Sequence, residues 1–151
     1  MESSAFENIM QRVAERSLLD TIADNIHGLR VKKGMSVRAL SESAHVSRAG
    51  IYAWEDGVNM PTIRVLVRIA YALDTDVDTL FGRTSSRGSE ECKEIQISSI
   101  CSTALAERIG VSDSVVRKWA AGEVPHTKYV RKIADELGCR VSDVCYAFLA
   151  Q

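Results

Sequence analysis

The side chains able to carry chemistry are few and dispersed. His27, His45 and His126 lie far apart, and none stands in a nucleophile–base arrangement with a serine or cysteine. Cys92, Cys101, Cys139 and Cys145 form no C-x-x-C pair and have no histidine close by in sequence, so a metal site is not expected. They read as buried or partly exposed free thiols in a reducing compartment. No glycine-rich phosphate loop is present. Catalysis and a cofactor are therefore not expected. What remains is a set of hydroxyl, guanidinium and ammonium groups at the starts and along the faces of short helices. That chemistry suits the gripping of a polyanion.

Those groups must be positioned by the stretch Ser36 to Pro61, SVRALSESAHVSRAGIYAWEDGVNMP. Ser36 can accept a free N–H at a helix start, and Val37, Leu40 and Ala44 then recur at helical spacing. Ser47 offers a second cap, with Ile51 and Trp54 on one face of the helix it starts and Gly57 at the stop. Two short helices joined by a tight turn make a helix-turn-helix, whose second helix can enter a DNA major groove.

At Leu40, Val46, Ser47, Ile51, Trp54, Glu55, Gly57 and Pro61 the stretch resembles the XRE family, the Cro and phage-repressor type of helix-turn-helix. The resemblance reaches upstream to Leu29-Arg30 and downstream to Ile69-Ala70, Leu73 and Val77, covering roughly residues 19–82. It implies that Arg48, Ala49, Tyr52 and Ala53 are the base-reading positions. Arg48 could donate twice to guanine, Ala49 and Ala53 offer apolar contact, and Tyr52 donates or stacks. Ser36, the Val37 N–H, Arg38, Ser47, Asn59 and Arg64 are the candidates for phosphate contacts that set position. The resemblance further implies a partly buried ion pair between Arg30 and Glu55. It places His45 where the family carries glycine, in a turn that favours positive φ.

The flanking chain completes the domain. Residues 5–17 can form an amphipathic helix with Phe6, Ile9, Met10 and Val13 on one face, which either packs on its own domain or makes a dimer contact. Residues 19–33 form the first helix of the unit, with Ile22, Ile26 and Leu29 inward and Gly34 at its end. Leu66, Ile69, Ala70 and Leu73 mark a helix over 62–73, and Asp76 can cap a last short one. Lys32 and Lys33 add positive charge, while Asp74, Asp76 and Asp78 are expected to collect at the far end of the domain.

The second half repeats the first. A shift of 65 residues carries Leu40, Val46, Ser47, Trp54 and Gly57 onto Leu105, Val111, Ser112, Trp119 and Gly122. A shift of 64 then carries Pro61, Ile69, Ala70, Leu73 and Val77 onto Pro125, Ile133, Ala134, Leu137 and Val141. Gly110 stands at the second turn. The base-reading positions become Asp113, Ser114, Arg117 and Lys118, behind a Ser112 cap. Ala120 replaces Glu55 and Ile95 replaces Arg30, so both members of the ion pair are missing together. Glu94 to Ile100 alternates and reads as a short strand or an irregular entry.

The expected architecture is all-α: two small domains of lambda-repressor-like helix-turn-helix type. An N-terminal helix covers 1–18, the first domain 19–82, a Gly/Ser linker 83–89 and a divergent second domain 90–151. The 151 residues, 46% hydrophobic and 26% charged, suit compact folding. A net charge of −1 excludes a DNA coat protein, so DNA binding must rest on a local patch. No run approaches the roughly 18 apolar residues of a membrane span, and the first 30 residues lack a signal peptide's core; a cytoplasmic protein is expected.

The resemblance implies a sequence-specific transcriptional regulator of prokaryotic or phage type, a repressor that occupies an operator in double-stranded DNA. Two recognition helices on one side of DNA must lie about 34 Å apart or a multiple of it. Either the tandem chain supplies both and reads an asymmetric site, or a homodimer supplies two copies of the first and reads a palindrome. The alternative is an antitoxin-like interaction module, in which only the first unit binds DNA and the second half holds a protein partner or dimerises.

Overall fold

The computed structural model describes residues 2–83, 97 and 101–150. Nine helices lie wholly within the described residues, none of which is in a strand: α1 Glu2–Lys32, α2 Val37–Ala44, α3 Arg48–Glu55, α4 Ile63–Ala72, α5 Val77–Leu80, α6 Thr103–Ile109, α7 Asp113–Ala120, α8 Thr127–Leu137 and α9 Val141–Leu149. They build two small all-α units, each containing a helix-turn-helix. The linker beyond Arg83 and the stretch read as alternating lie outside the described residues, except Ile97, which is helical and packs against the core. No helix here is long and apolar enough to cross a membrane.

Polar side chains start the short helices. Ser36 Oγ accepts from Ala39 N at 3.0 Å, Ser47 Oγ from Gly50 N at 3.0 Å, and Asp76 Oδ1 from Thr79 N at 2.8 Å. Each satisfies a backbone donor that the helix cannot satisfy itself. The α2–α3 turn passes through His45 at φ 55°, and its counterpart Gly110 lies at φ 78°. Histidine thus occupies a left-handed conformation that glycine adopts without a Cβ penalty.

The N-terminus departs from the sequence expectation. Residues 5–17 and 19–33 do not form separate helices; α1 runs unbroken from Glu2 to Lys32. No proline or glycine stands near residue 18 to break it, and Leu18 is already buried in the core with Ile22 and Ile26. The apolar face of Phe6, Ile9, Met10 and Val13 does not pack on its own domain, since all four side chains are exposed. The expected separation of charge also fails. Lys33 Nζ lies 4.0 Å from Asp74 Oδ2, and Asp78 is buried rather than displayed with the other acids.

Asp78 joins the two units. Its carboxylate accepts from Val141 N at 2.8 Å and Ser142 N at 3.4 Å, and Ser142 Oγ donates to it as well. The first two N–H groups of α9 are therefore capped from the other unit, while the side chain of the cap residue Arg140 pairs with Asp143 at 3.0 Å and caps neither of them. Thr127 Oγ1, also buried, donates to the Pro61 carbonyl at 2.6 Å, and Arg83 pairs with Asp135. Around these polar contacts α9 lies against α4 and α5, and the buried apolar residues of both units form one continuous cluster.

Cys145 sits in this cluster, its thiol pushed up to about 12 by burial and, secondarily, by the Asp78 charge. A protonated, buried thiol is inert. Asp78→Ala should cost about 1–3 kcal/mol in urea unfolding, because the α9 donors lose their acceptor. In native buffer at pH 8, Cys145 of the parent should resist alkylation, whereas the variant should label measurably faster.

Candidate nucleic-acid interface

Helix α3 is the centre of the candidate site. It has only eight residues, so tertiary contacts must hold it. Ile51 is fully buried and Trp54 packs partly buried against the core. Gly50 lies so close to the indole that an added Cβ would come within 2.9 Å of Trp54 Cη2 and of Ser47 Oγ. A glycine inside a helix normally costs about 1 kcal/mol relative to alanine. Here it makes room for the tryptophan to lie along the helix.

The C-terminal end of α3 is pinned electrostatically. Arg30 Nη2 meets Glu55 Oε1 at 2.9 Å, and Arg30 Nε meets Oε2 at 3.0 Å, a two-pronged pair from α1. The Glu55 side chain is 6% exposed and that of Arg30 14%. Arg30 Nη1 also donates to the Met35 carbonyl at 2.9 Å, tying α1 to the entry of α2. His27 adds a contact that the family pattern did not suggest: its Nδ1 lies 2.5 Å from Glu55 Oε1. A carboxylate only accepts, so this contact requires the hydrogen on Nδ1, and in that tautomer Nδ1 does not accept from Arg30 Nη2, 3.4 Å away. The signal available beforehand was spacing, since His27 and Arg30 share a helical face at i, i+3.

With the inner face anchored, the outer face is left as a ridge. Arg48, Ala49 and Tyr52 are exposed and Ala53 is half-exposed. Ser36, Ser47, Asn59 and Arg64 are exposed around them, and Val37 opens α2 with its N–H at the helix start. Both serine oxygens accept a capping bond, which leaves each hydroxyl hydrogen available to a phosphate. Arg38 is paired with Glu42 at 3.2 Å, but both side chains are about 70% exposed. Such a surface pair is worth at most about 1 kcal/mol, so it does not hold Arg38 away from a phosphate.

The second unit builds the same ridge on different internal contacts. In α7, Asp113, Ser114, Arg117 and Lys118 are exposed, while Val116 and Trp119 are buried. Ser112 makes no cap bond; its Oγ meets Ser114 Oγ at 2.9 Å. With the ion pair absent, Trp119 packs against Tyr129 at 5.6 Å between ring centres and meets Phe148 edge-on at 6.3 Å. An aromatic cluster thus anchors α7 where a charged pair anchors α3.

A helix-turn-helix family model matches residues 26–80 and, a second time, residues 100–144. The two matched segments enclose both ridges and together span more than half of the chain. Comparison with curated proteins finds no match.

Glu55→Ala should destabilise the fold by about 3 kcal/mol, because it strands the mostly buried Arg30 guanidinium; chemical denaturation followed by tryptophan fluorescence reads this. Gly50→Ala should be destabilising despite alanine's better helix propensity, with a shifted Trp54 emission. A neutral or stabilised Gly50→Ala protein would contradict the close Trp54 contact.

Proposed function

The chain belongs to the XRE-type helix-turn-helix family, and on that footing we propose that it is a sequence-specific transcriptional regulator that represses by occupying an operator in cytoplasmic double-stranded DNA. The observation that carries this reading is the two-sidedness of α3. Ile51, Trp54 and Glu55 hold the helix from within, and Arg48, Ala49 and Tyr52 point away from the core. A helix fixed in this way can enter the major groove without paying to order itself.

The exposed groups divide by task. Arg48, at the first helical position, has the fork needed for guanine O6 and N7. Ala49 and Ala53 admit close approach and favour a thymine methyl. Tyr52 stands beside them at the rim. Ser36, the Val37 N–H, Arg38, Ser47, Asn59 and Arg64 serve the sugar–phosphate rails, which supply affinity without sequence information. The near-neutral chain has no excess of positive charge for coating DNA, so binding depends on these local groups.

Selection of bound sequences from a random duplex pool tests this assignment. Arg48→Ala should relax preference at one base pair by about 1–3 kcal/mol while leaving the others intact. Arg64→Ala should instead weaken all sequences alike and lower the salt dependence by about one counterion. Failure of the parent protein to enrich any sequence would contradict the proposed reading.

A further inference from the structure

The repeat relates Asp78 to Ser142 and Val77 to Val141 by the same 64-residue shift that relates Pro61 to Pro125 and Ile63 to Thr127. In the fold, Asp78 touches its own counterpart, Ser142. Thr127 bonds the Pro61 carbonyl, which sets the 61–63 segment against its counterpart 125–127, and Pro61 and Pro125 line one cleft. A patch that meets its own equivalent is the mark of a two-fold relation; two units in a head-to-tail array would present unlike patches. Two such self-contacts, one at each place, define an approximate two-fold axis running through a single chain.

Rotation about that axis exchanges α3 with α7. The cleft between the units, about 550 Å³, shows which end of the axis α7 occupies. It is lined by Pro61 and Arg64 from one unit and by Lys118 and Trp119 of α7 from the other. No residue of α3 lines the cleft; it is the approximate two-fold that carries α3 to the same end of the axis as α7. Duplex DNA carries two-fold symmetry of its own, and two major-groove surfaces one turn apart face the same way.

We infer that one chain is a complete two-headed reader, in which α3 and α7 occupy successive major grooves of one asymmetric, bipartite site. The inference rests on the DNA-binding reading above and extends it to the second unit, making Arg117 and Lys118 specificity-determining residues. The heads are unlike: Arg48, Ala49 and Tyr52 face one half-site, and Asp113, Ser114, Arg117 and Lys118 the other. Asp113 suits a cytosine N4 donor in that setting. The spacing of the half-sites is held by the Asp78 and Thr127 contacts, both buried, rather than by a linker.

The test uses the full chain on its selected duplex, with stoichiometry from native mass spectrometry and protection from footprinting. Arg48 and Arg117 are exposed, so their alanine variants should keep the parent's circular dichroism and melting temperature. The expected result is one chain per duplex on a non-palindromic site, with Arg48→Ala and Arg117→Ala altering preference in opposite halves. Inserting five base pairs between the halves turns them to opposite sides of the helix and should weaken one-chain binding by about 10²–10⁴-fold. Two chains on a palindrome, with Arg117→Ala silent, would overturn the inference while leaving DNA recognition by the first unit intact. Enrichment of no sequence would overturn both.

Discussion

An eight-residue helix has no independent stability, and this constraint governs the molecule. To present side chains to a groove, α3 must be gripped along one side only. The grip has three parts: Ile51 buried in the core, Trp54 laid along Gly50, and Glu55 clamped by Arg30 and His27. The apolar contacts supply the driving force, at about 1.5–3 kcal/mol for a fully buried aliphatic side chain. The ion pair adds direction, because a two-pronged guanidinium–carboxylate contact tolerates little rotation of the helix about its axis.

The second unit meets the same constraint with other chemistry. Its helix α7 is equally short but has alanine where Glu55 would be. Trp119 is correspondingly deeper than Trp54 and is held by Tyr129 and Phe148. An isolated loss of Glu55 would leave a stranded arginine; the joint absence of both partners leaves none. The two halves therefore keep one geometry through contacts that differ residue by residue, which frees the outer faces to differ too.

The union of the units depends on a buried carboxylate. Burying a charge is costly unless it is fully bonded, and Asp78 meets that condition with two backbone N–H groups and a hydroxyl at the start of α9. Those donors would otherwise lack partners in a helix whose own cap side chain makes no such bond. Each unit thus repairs a polar deficit in the other. Directional bonds of this kind fix a relative orientation that apolar packing alone would leave looser.

The local pattern was legible in the chain itself. Caps at Ser36 and Ser47, the left-handed turn at His45, the inward Ile51 and Trp54, and the repeat at 64–65 residues all follow from periodicity, capping chemistry or family likeness. The caps, the turn and the inward face depend on neighbours within a turn or two, and the repeat on comparing the two halves, so the sequence alone determined them. Its reading went wrong where the deciding partner was distant. A helix break was expected near residue 18, but Leu18 belongs to the core and nothing interrupts α1. Asp78 looked like one of three surface acids, because its partners lie more than 60 residues away. The Gly50–Trp54 contact depends on where the indole is pushed by the core, and no spacing reveals that. The tertiary structure alone decided how the two halves face each other, since that arrangement is set by a few long-range hydrogen bonds and one shared apolar cluster.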